Sequence, residues 1–200
     1  IQKEMNKKIN LIIGSGVLGA YLALELLKNK EEVIVTTRSI KKKIKNYHYL
    51  KIQKKVKFIK LDVSKKTKIK KIINEFNPDK IFYFAGQSSL TKSLKDKKGT
   101  LLSHFEGTKN FLDIIKQENL KIKFFKANSG YIFSPKKGLI DINCKFSTNS
   151  NPYIKAQQMT FKLIKKYRKF GLNLFNLVFM QIESPLRPKE FFIKKVCLGA

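Results

Sequence analysis

Apolar and polar positions along this chain switch repeatedly between strand-like and helix-like patterns. An apolar run from Ile9 to Ile13 ends at Gly14, and a helical pattern follows at once, with Leu18, Leu22 and Leu26 four residues apart. Glu32 to Arg38 is short and β-branched and reads as a second strand. A basic stretch to Lys55 reads as helical, and Val56 to Leu61 as a third strand that ends in Asp62-Val63-Ser64. Ser64 is the expected N-cap of a helix to Phe76, whose Ile69, Ile72, Ile73 and Phe76 form one apolar stripe, and Asn77-Pro78-Asp79 stops it. Ile81 to Ala85 is a buried strand followed by Gly86-Gln87-Ser88-Ser89. A single long helix is expected from Thr100 to Asn119, with Phe105, Thr108, Leu112 and Ile115 on one side. Ile122 to Ala127 makes a fifth strand, a helix runs from Tyr153 to Phe170, and Leu172 to Val178 makes a sixth strand.

Strands alternating with helices predict an α/β fold, a doubly wound parallel sheet of the Rossmann type. In such sheets ligands sit at the carboxyl ends of strands. Gly14, Arg38, Asp62, Gly86 and Ser129 all fall there. No repeat and no linker divides the chain, so residues 1–200 read as one nucleotide-binding domain, with the start of a substrate lobe near 180–200.

Composition narrows the picture. Two hundred residues suffice for one domain with a sizeable core. The chain opens at Ile1 rather than Met and stops at Ala200 just after an apolar and basic stretch, which reads as part of a longer product. No uninterrupted apolar stretch of about 18 residues occurs, so neither a membrane span nor a signal peptide is expected. Two cysteines, Cys144 and Cys197, suit a reducing cytoplasm, and His48 and His104 are too isolated for a metal site, so none is expected. The net charge of +29 invites a nucleic-acid reading. The lysines are spread along the whole chain, however, rather than gathered in a local patch with aromatics for stacking. The densest run, Lys41 to Lys45, reads as a solvated helix face, and no specific nucleic-acid partner is expected.

The chemistry begins at the first turn. Gly14, Gly16 and Gly19 give a G-x-G-x-x-G spacing between a strand and a helix. Gly14 permits a sharp turn, Gly16 leaves bare backbone for a pyrophosphate, and Gly19 lets helix and strand approach. The alternative is an ordinary strand–helix turn that binds nothing. Where NAD-binding folds carry an acid near the end of the second strand, this chain has Arg38, the residue type that accommodates a 2′-phosphate; a plain surface arginine is the other reading. NADP is therefore the expected cofactor.

From Gly14 to Lys195 the chain resembles the extended short-chain dehydrogenases/reductases of the NAD-dependent epimerase/dehydratase type, and more narrowly the GDP-mannose 4,6-dehydratase family. The stretches that carry this are Gly19 to Val33, Asn77 to Ser89, Gly107-Thr108, and Glu183-Ser184-Pro185 with Arg187. The glycine turn is one residue shorter than that family's usual G-x-x-G-x-x-G. The resemblance implies cofactor contacts at Gly14, Gly16, Gly19, Arg38, Asp62 and Val63 at the adenine, Phe84, Ala85 and Gly86, and Tyr153 at the nicotinamide. It implies substrate contacts at Ser88, Ser129, Gln181 and Arg187; Gln181 and Ile182 stand where the family has Asn and His. The family's sugar-nucleotide lobe would lie mostly beyond Ala200, and its members are commonly oligomers, so a homo-oligomer is implied for the full-length form.

The implied catalytic positions are altered. Ser129 stands where the family hydrogen-bonds the sugar O4, and Tyr153 where the phenol takes the O4 proton as hydride leaves C4. Two residues after Ser129 the family's acid/base Glu is Tyr131 here, and one helical turn after Tyr153 its Lys is Gln157. A lysine ammonium there would favour the phenolate of a tyrosine whose ordinary pKa is about 10. Gln157 carries no charge, and Lys155 is two residues from Tyr153 and points elsewhere. Tyr131 holds its proton near neutral pH and is a poor general base. The expected activity is GDP-mannose 4,6-dehydratase-like: C4 oxidation, dehydration across C5/C6 and hydride return. The alternatives are a nucleotide-sugar 4-reductase or epimerase, and a catalytically silent NADP-binding module.

Overall fold

Six strands run parallel in one sheet of order β3-β2-β1-β4-β5-β6 in the computed structural model, which describes residues 7–40, 44–136, 138–141 and 143–199. They are β1 Ile9–Ile13, β2 Glu32–Thr37, β3 Lys57–Lys60, β4 Lys80–Tyr83, β5 Lys123–Ser129 and β6 Leu174–Phe179. The helices between them are α1 Val17–Lys28, α2 Lys45–Tyr49, α3 Lys66–Phe76, α4 Leu90–Lys95, α5 Lys97–Leu101, α6 Gly107–Gln117, α7 Pro152–Arg168 and α8 Phe192–Gly199. The doubly wound Rossmann reading holds. The chain builds outward from β1 to β3, then crosses to β4 on the other side of β1, so a crevice opens at the carboxyl ends of β1 and β4.

Apolar side chains cover both faces of the sheet, as a parallel sheet under two helical layers requires. Leu11, Ile13, Ile81, Tyr83 and Phe124 pack with the stripes of α3, α6 and α7 on one face. Ile12, Val33 and Val35 pack with Ala20, Ala23 and Leu26 of α1 and Tyr47 of α2 on the other. The first layer is tied by Asp113 of α6, which pairs with Lys109 at 2.9 Å and Lys66 of α3 at 3.6 Å and accepts a bond from the Tyr167 hydroxyl of α7. In a chain of net charge +29 such a shared carboxylate relieves local repulsion between helices.

Three local expectations change. Ser64 does not cap α3: Lys65 occupies the N-cap position with no side-chain bond, and the Ser64 N–H is taken by the Asp62 carboxylate at 2.9 Å. The long helix expected from Thr100 is interrupted. The segment Leu102–Glu106 between α5 and α6 is a π-helical turn, which shifts the register of every side chain after it. Of the basic run at 41–45, Lys41 to Lys43 lie outside the described residues, and helix α2 is confined to Lys45–Tyr49.

Candidate functional site

The glycine turn is built as its spacing demands. Gly14 has φ +106°, and a Cβ there would lie 2.8 Å from the Ala85 nitrogen, so only glycine lets β1 leave beside the end of β4. A Cβ on Gly19 would lie 2.3 Å from the Gly14 carbonyl oxygen. Gly16 is different. It is the N-cap of α1, no side chain caps the helix, its first turn carries no acid, and a Cβ there would meet nothing within 4 Å. The free N–H groups and the positive end of a 12-residue helix thus face open space through bare backbone. This fits the pyrophosphate of a dinucleotide.

A cleft of about 520 Å³ starts at the first turn of α1, at Val17 and Leu18, and runs over the carboxyl ends of β4 and β5. Phe84, Ala85, Gly86 and Ser88 line it after β4, Ser129 and Tyr131 after β5, and Gln181, Ile182 and Arg187 after β6. Tyr153 and Gln157 enter it from the first turns of α7. Their presentation is local in origin: Pro152 opens the helix, and the Asn151 side-chain oxygen accepts the Tyr153 N–H at 2.9 Å. Asn151 is itself held by the Ser93 hydroxyl at 2.9 Å, which fixes α7 against α4. Four residues apart, Tyr153 and Gln157 share the buried face, while Lys155 is exposed on another.

The sequence-predicted residues thus divide into two groups. Ser88, Ser129, Tyr131, Tyr153, Gln157, Gln181 and Arg187 converge on the cleft with Phe84, Ala85 and Gly86. Ser129 is nearly buried and its hydroxyl accepts the Tyr131 N–H at 3.3 Å; the Tyr131 ring is 58% exposed. Gln157 is 4% exposed, and its side-chain oxygen has no partner. Such an orphaned acceptor fits a ligand hydroxyl such as that of a nicotinamide ribose. Gln181 donates to Glu183 at 3.1 Å, and Arg187 lies 3.7 Å from Glu183 with its guanidinium 3.8 Å from the centre of the Phe191 ring.

Arg38, Asp62 and Val63 stand apart from the cleft lining, at the ends of β2 and β3. Bonds from Ser64 hold the Asp62 carboxyl below its ordinary pKa, and the Arg38 charge adds to the effect. Asp62, after β3, thus stands near enough to Arg38, after β2, to feel its charge. Val63 is buried against Gly107, where any Cβ would strike its Cγ2 at 2.7 Å, and its carbonyl accepts the Asn110 amide at 3.0 Å. Its side chain serves the core.

Two cleft residues escape the sequence reading. His104 sits on the π-helical turn, buried, with its ring edge-on to Tyr153 at 5.5 Å between centroids. Its Nε2 faces the Gln87 carbonyl at 2.9 Å, and its Nδ1 is buried without a partner. Burial foremost, with the nearby Lys126 charge, pushes its pKa down to about 3, so the ring is neutral. Lys126 is fully buried on β5, its ammonium donating to the Ala127 carbonyl, and burial lowers its pKa to about 7. The available signal was a lone charge inside the apolar strand Phe124-Phe125-Lys126-Ala127. Among 43 lysines and arginines it did not stand out.

With this geometry in place, comparison with known proteins gives a consistent picture. A family model described as GDP-mannose 4,6 dehydratase matches residues 11–200. The chain is 27% identical over 211 aligned residues to the GDP-mannose 4,6-dehydratase of Vibrio cholerae, covering 98% of this chain and 55% of that protein. Among solved structures, the UDP-glucuronic acid 4-epimerase of Bacillus cereus, in complex with UDP-glucuronic acid and NAD, superposes with a TM-score of 0.82 at 20% identity, over 93% of this chain and 60% of that one. The dTDP-glucose 4,6-dehydratase DesIV of Streptomyces venezuelae, with NAD bound, superposes with a TM-score of 0.82 at 17% identity, over 96% of this chain and 61% of that one. The chain spans about half the length of the curated relatives it matches. Among the described residues no helix is long and apolar enough to cross a membrane.

Proposed function

The chain belongs to the GDP-mannose 4,6-dehydratase family, and on that premise we propose that it binds NADP and oxidises a nucleotide sugar, GDP-mannose or a close relative, at C4. The observation that carries the reading is the convergence of Ser129, Tyr153 and Gln157 on one cleft that begins at the bare N-terminus of α1. The glycine turn holds the pyrophosphate through backbone N–H groups, and Gln157 meets the ribose beside the nicotinamide. When bound, that ring supplies the hydride acceptor for C4. Tyr153 takes the O4 proton, and Ser129 holds O4 through a hydrogen bond. Gln181 and Arg187, on the segment after β6, border the sugar-nucleotide side, where residues 180–200 begin the substrate lobe.

Tyr131 favours a second reading. A dehydratase needs a base at C5, and an exposed phenol supplies one poorly near neutral pH. C4 redox chemistry alone, as in a 4-reductase or epimerase, needs only Ser129 and Tyr153.

One assay separates the readings. Purified protein is mixed with NADP⁺ and GDP-mannose, and separately with NADPH and a 4-keto nucleotide sugar, while nicotinamide absorbance and sugar products are followed. A 4-keto-6-deoxy product supports the dehydratase, and NADPH oxidation without loss of water supports the reductase. No change in either mixture, with the cofactor bound, rejects both and leaves a silent binding module.

A further inference from the structure

A lysine with no exposed surface, in the middle of a parallel sheet, demands an explanation. Burying a cation without a counter-charge is strongly unfavourable. Among the described residues Lys126 has no carboxylate partner; its ammonium has the Ala127 carbonyl and, at 5.4 Å, the face of the Tyr83 ring. An ammonium has three protons to donate, so two remain for the pocket. The bond to the following residue's carbonyl shows that the stem bends toward the carboxyl end of β5, where Ser129 stands. Lys126 shares its strand face with Phe124, which packs with Tyr83 and Phe111, and with Asn128, which bonds Asn176 at 2.7 Å; Asn176 in turn donates to the Phe161 carbonyl on α7. That face therefore looks at α7, the helix of Tyr153 and Gln157. All three side chains line the same cleft.

We propose that Lys126 supplies from the sheet the positive charge beside the Tyr153 phenol that Gln157, on the helix, does not. It is a positioning residue that acts through Tyr153. The inference rests on the reading of Tyr153 as the proton acceptor.

Among the described titratable groups that line the cleft with Lys126, Tyr131 is largely exposed, and the others leave the Tyr153 phenol as the partner. His104, from the π-helical turn, is neutral. The Tyr83 hydroxyl, from β4, donates to the Ser103 carbonyl at 2.6 Å, and burial drives its pKa up. Asn176 of β6 and Gln157 of α7 carry no charge. The carboxylates that border the cleft, Glu183 and Glu190, are paired with Arg187 and Lys92. Burial alone lowers the proton affinity of Lys126, so an ammonium is retained here chiefly when an anion forms next to it. Ionised Tyr153, which lines the same cleft, is that anion. The pair shares a proton, and its apparent pKa values belong to both groups.

The test needs neither nucleotide nor sugar. Tyrosinate ultraviolet absorbance is titrated in the wild type and in Tyr153→Phe, and the difference isolates Tyr153. The proposal expects Tyr153 to ionise below the ordinary tyrosine value of about 10, and Lys126→Met to raise that ionisation by about 1–3 pH units. Lys126→Met combined with Gln157→Lys should restore it, which a merely structural role for Lys126 would not produce. A wild-type Tyr153 that ionises at or above the ordinary value, or a folded Lys126→Met protein with an unchanged titration, overturns the proposal. Should Lys126→Met fail to fold, Lys126→Gln replaces it and the wild-type titration still decides. A coupled titration in a protein that turns over no sugar would remove the proposed function and keep the assignment; turnover without coupling would do the reverse.

Discussion

The imidazole of His104 occupies the space where any side chain on Gly86 would go: a Cβ there would lie 2.1 Å from the His104 Cε1. Gly86 also has φ +145°, which disfavours any other residue. The turn after β4 and the π-helical turn are thereby locked together, and the same ring braces Tyr153. Gly86→Ala should destabilise the fold by about 1–3 kcal/mol, from backbone strain and displacement of the ring. In a double-mutant cycle with His104→Ala the losses should be less than additive, because the clash disappears while the backbone strain stays. Denaturant unfolding of the four proteins checks this; strict additivity would mean that the two residues do not compete for space.

On the proposed reading, Arg38 selects between the two nicotinamide dinucleotides by meeting the 2′-phosphate of NADP. An arginine facing a 2′-phosphate makes charge-assisted bonds of about 1.5–3 kcal/mol, or roughly 10- to 100-fold in affinity. Arg38→Ala should lower NADP⁺ affinity by that factor and leave NAD⁺ within about threefold. Asp62→Asn should act weakly in the opposite direction, since it removes a negative charge that lies near Arg38 and would repel a 2′-phosphate. Calorimetric titration with both nucleotides reads the outcome.

Lys126 makes stability depend on alkaline pH in a defined direction. Its pKa is about 7 in the native protein against an ordinary 10.5. Between those values the unfolded chain holds a proton that the native state has released, so native stability rises with pH. The slope is at most about 1.4 kcal/mol per pH unit. The destabilisation is complete below about pH 7 and fades toward pH 10.5. Lys126→Met should therefore be more stable than the wild type at neutral pH, with an advantage that shrinks as pH rises. Urea unfolding of both proteins across that window tests the sign; an advantage independent of pH would show that the lysine is not desolvated.

Tyr131 offers a gain-of-function test. Its ring is largely exposed at the cleft, so replacing it should change stability by no more than about 0.5 kcal/mol. If the chain performs C4 chemistry but lacks a base for C5, Tyr131→Glu should raise the dehydration rate by about 10²–10⁴ and leave C4 reduction nearly unchanged. Product analysis by mass separates the two steps.

Much of this architecture was legible before any coordinates. Strand and helix periods were strong because a parallel sheet buried on both faces needs long apolar runs. The spacing of Gly14, Gly16 and Gly19, and the four-residue spacing of Tyr153 and Gln157, depend only on local geometry. What escaped depends on tertiary context. Ser64 looked like a cap, but Asp62 claims its N–H and helix α3 starts one residue later. The apolar period of the sequence gives no sign of the π-helical turn or of the buried His104 that it carries. Lys126 differs from dozens of solvated lysines only in what packs around it. Asp62 and Arg38, 24 positions apart, become neighbours only once β2 and β3 pair.

The central claim is that the bare amino end of α1 holds the phosphates of a nicotinamide dinucleotide. Gly16 permits a clean test, because a Cβ there would meet no protein atom within 4 Å. NADPH fluorescence titrated against the wild type and Gly16→Asp measures it directly. The account predicts saturable binding to the wild type and a loss of about 100-fold or more when a carboxylate occupies the anion cradle. Equal binding by the two folded proteins, or none by the wild type, would contradict it.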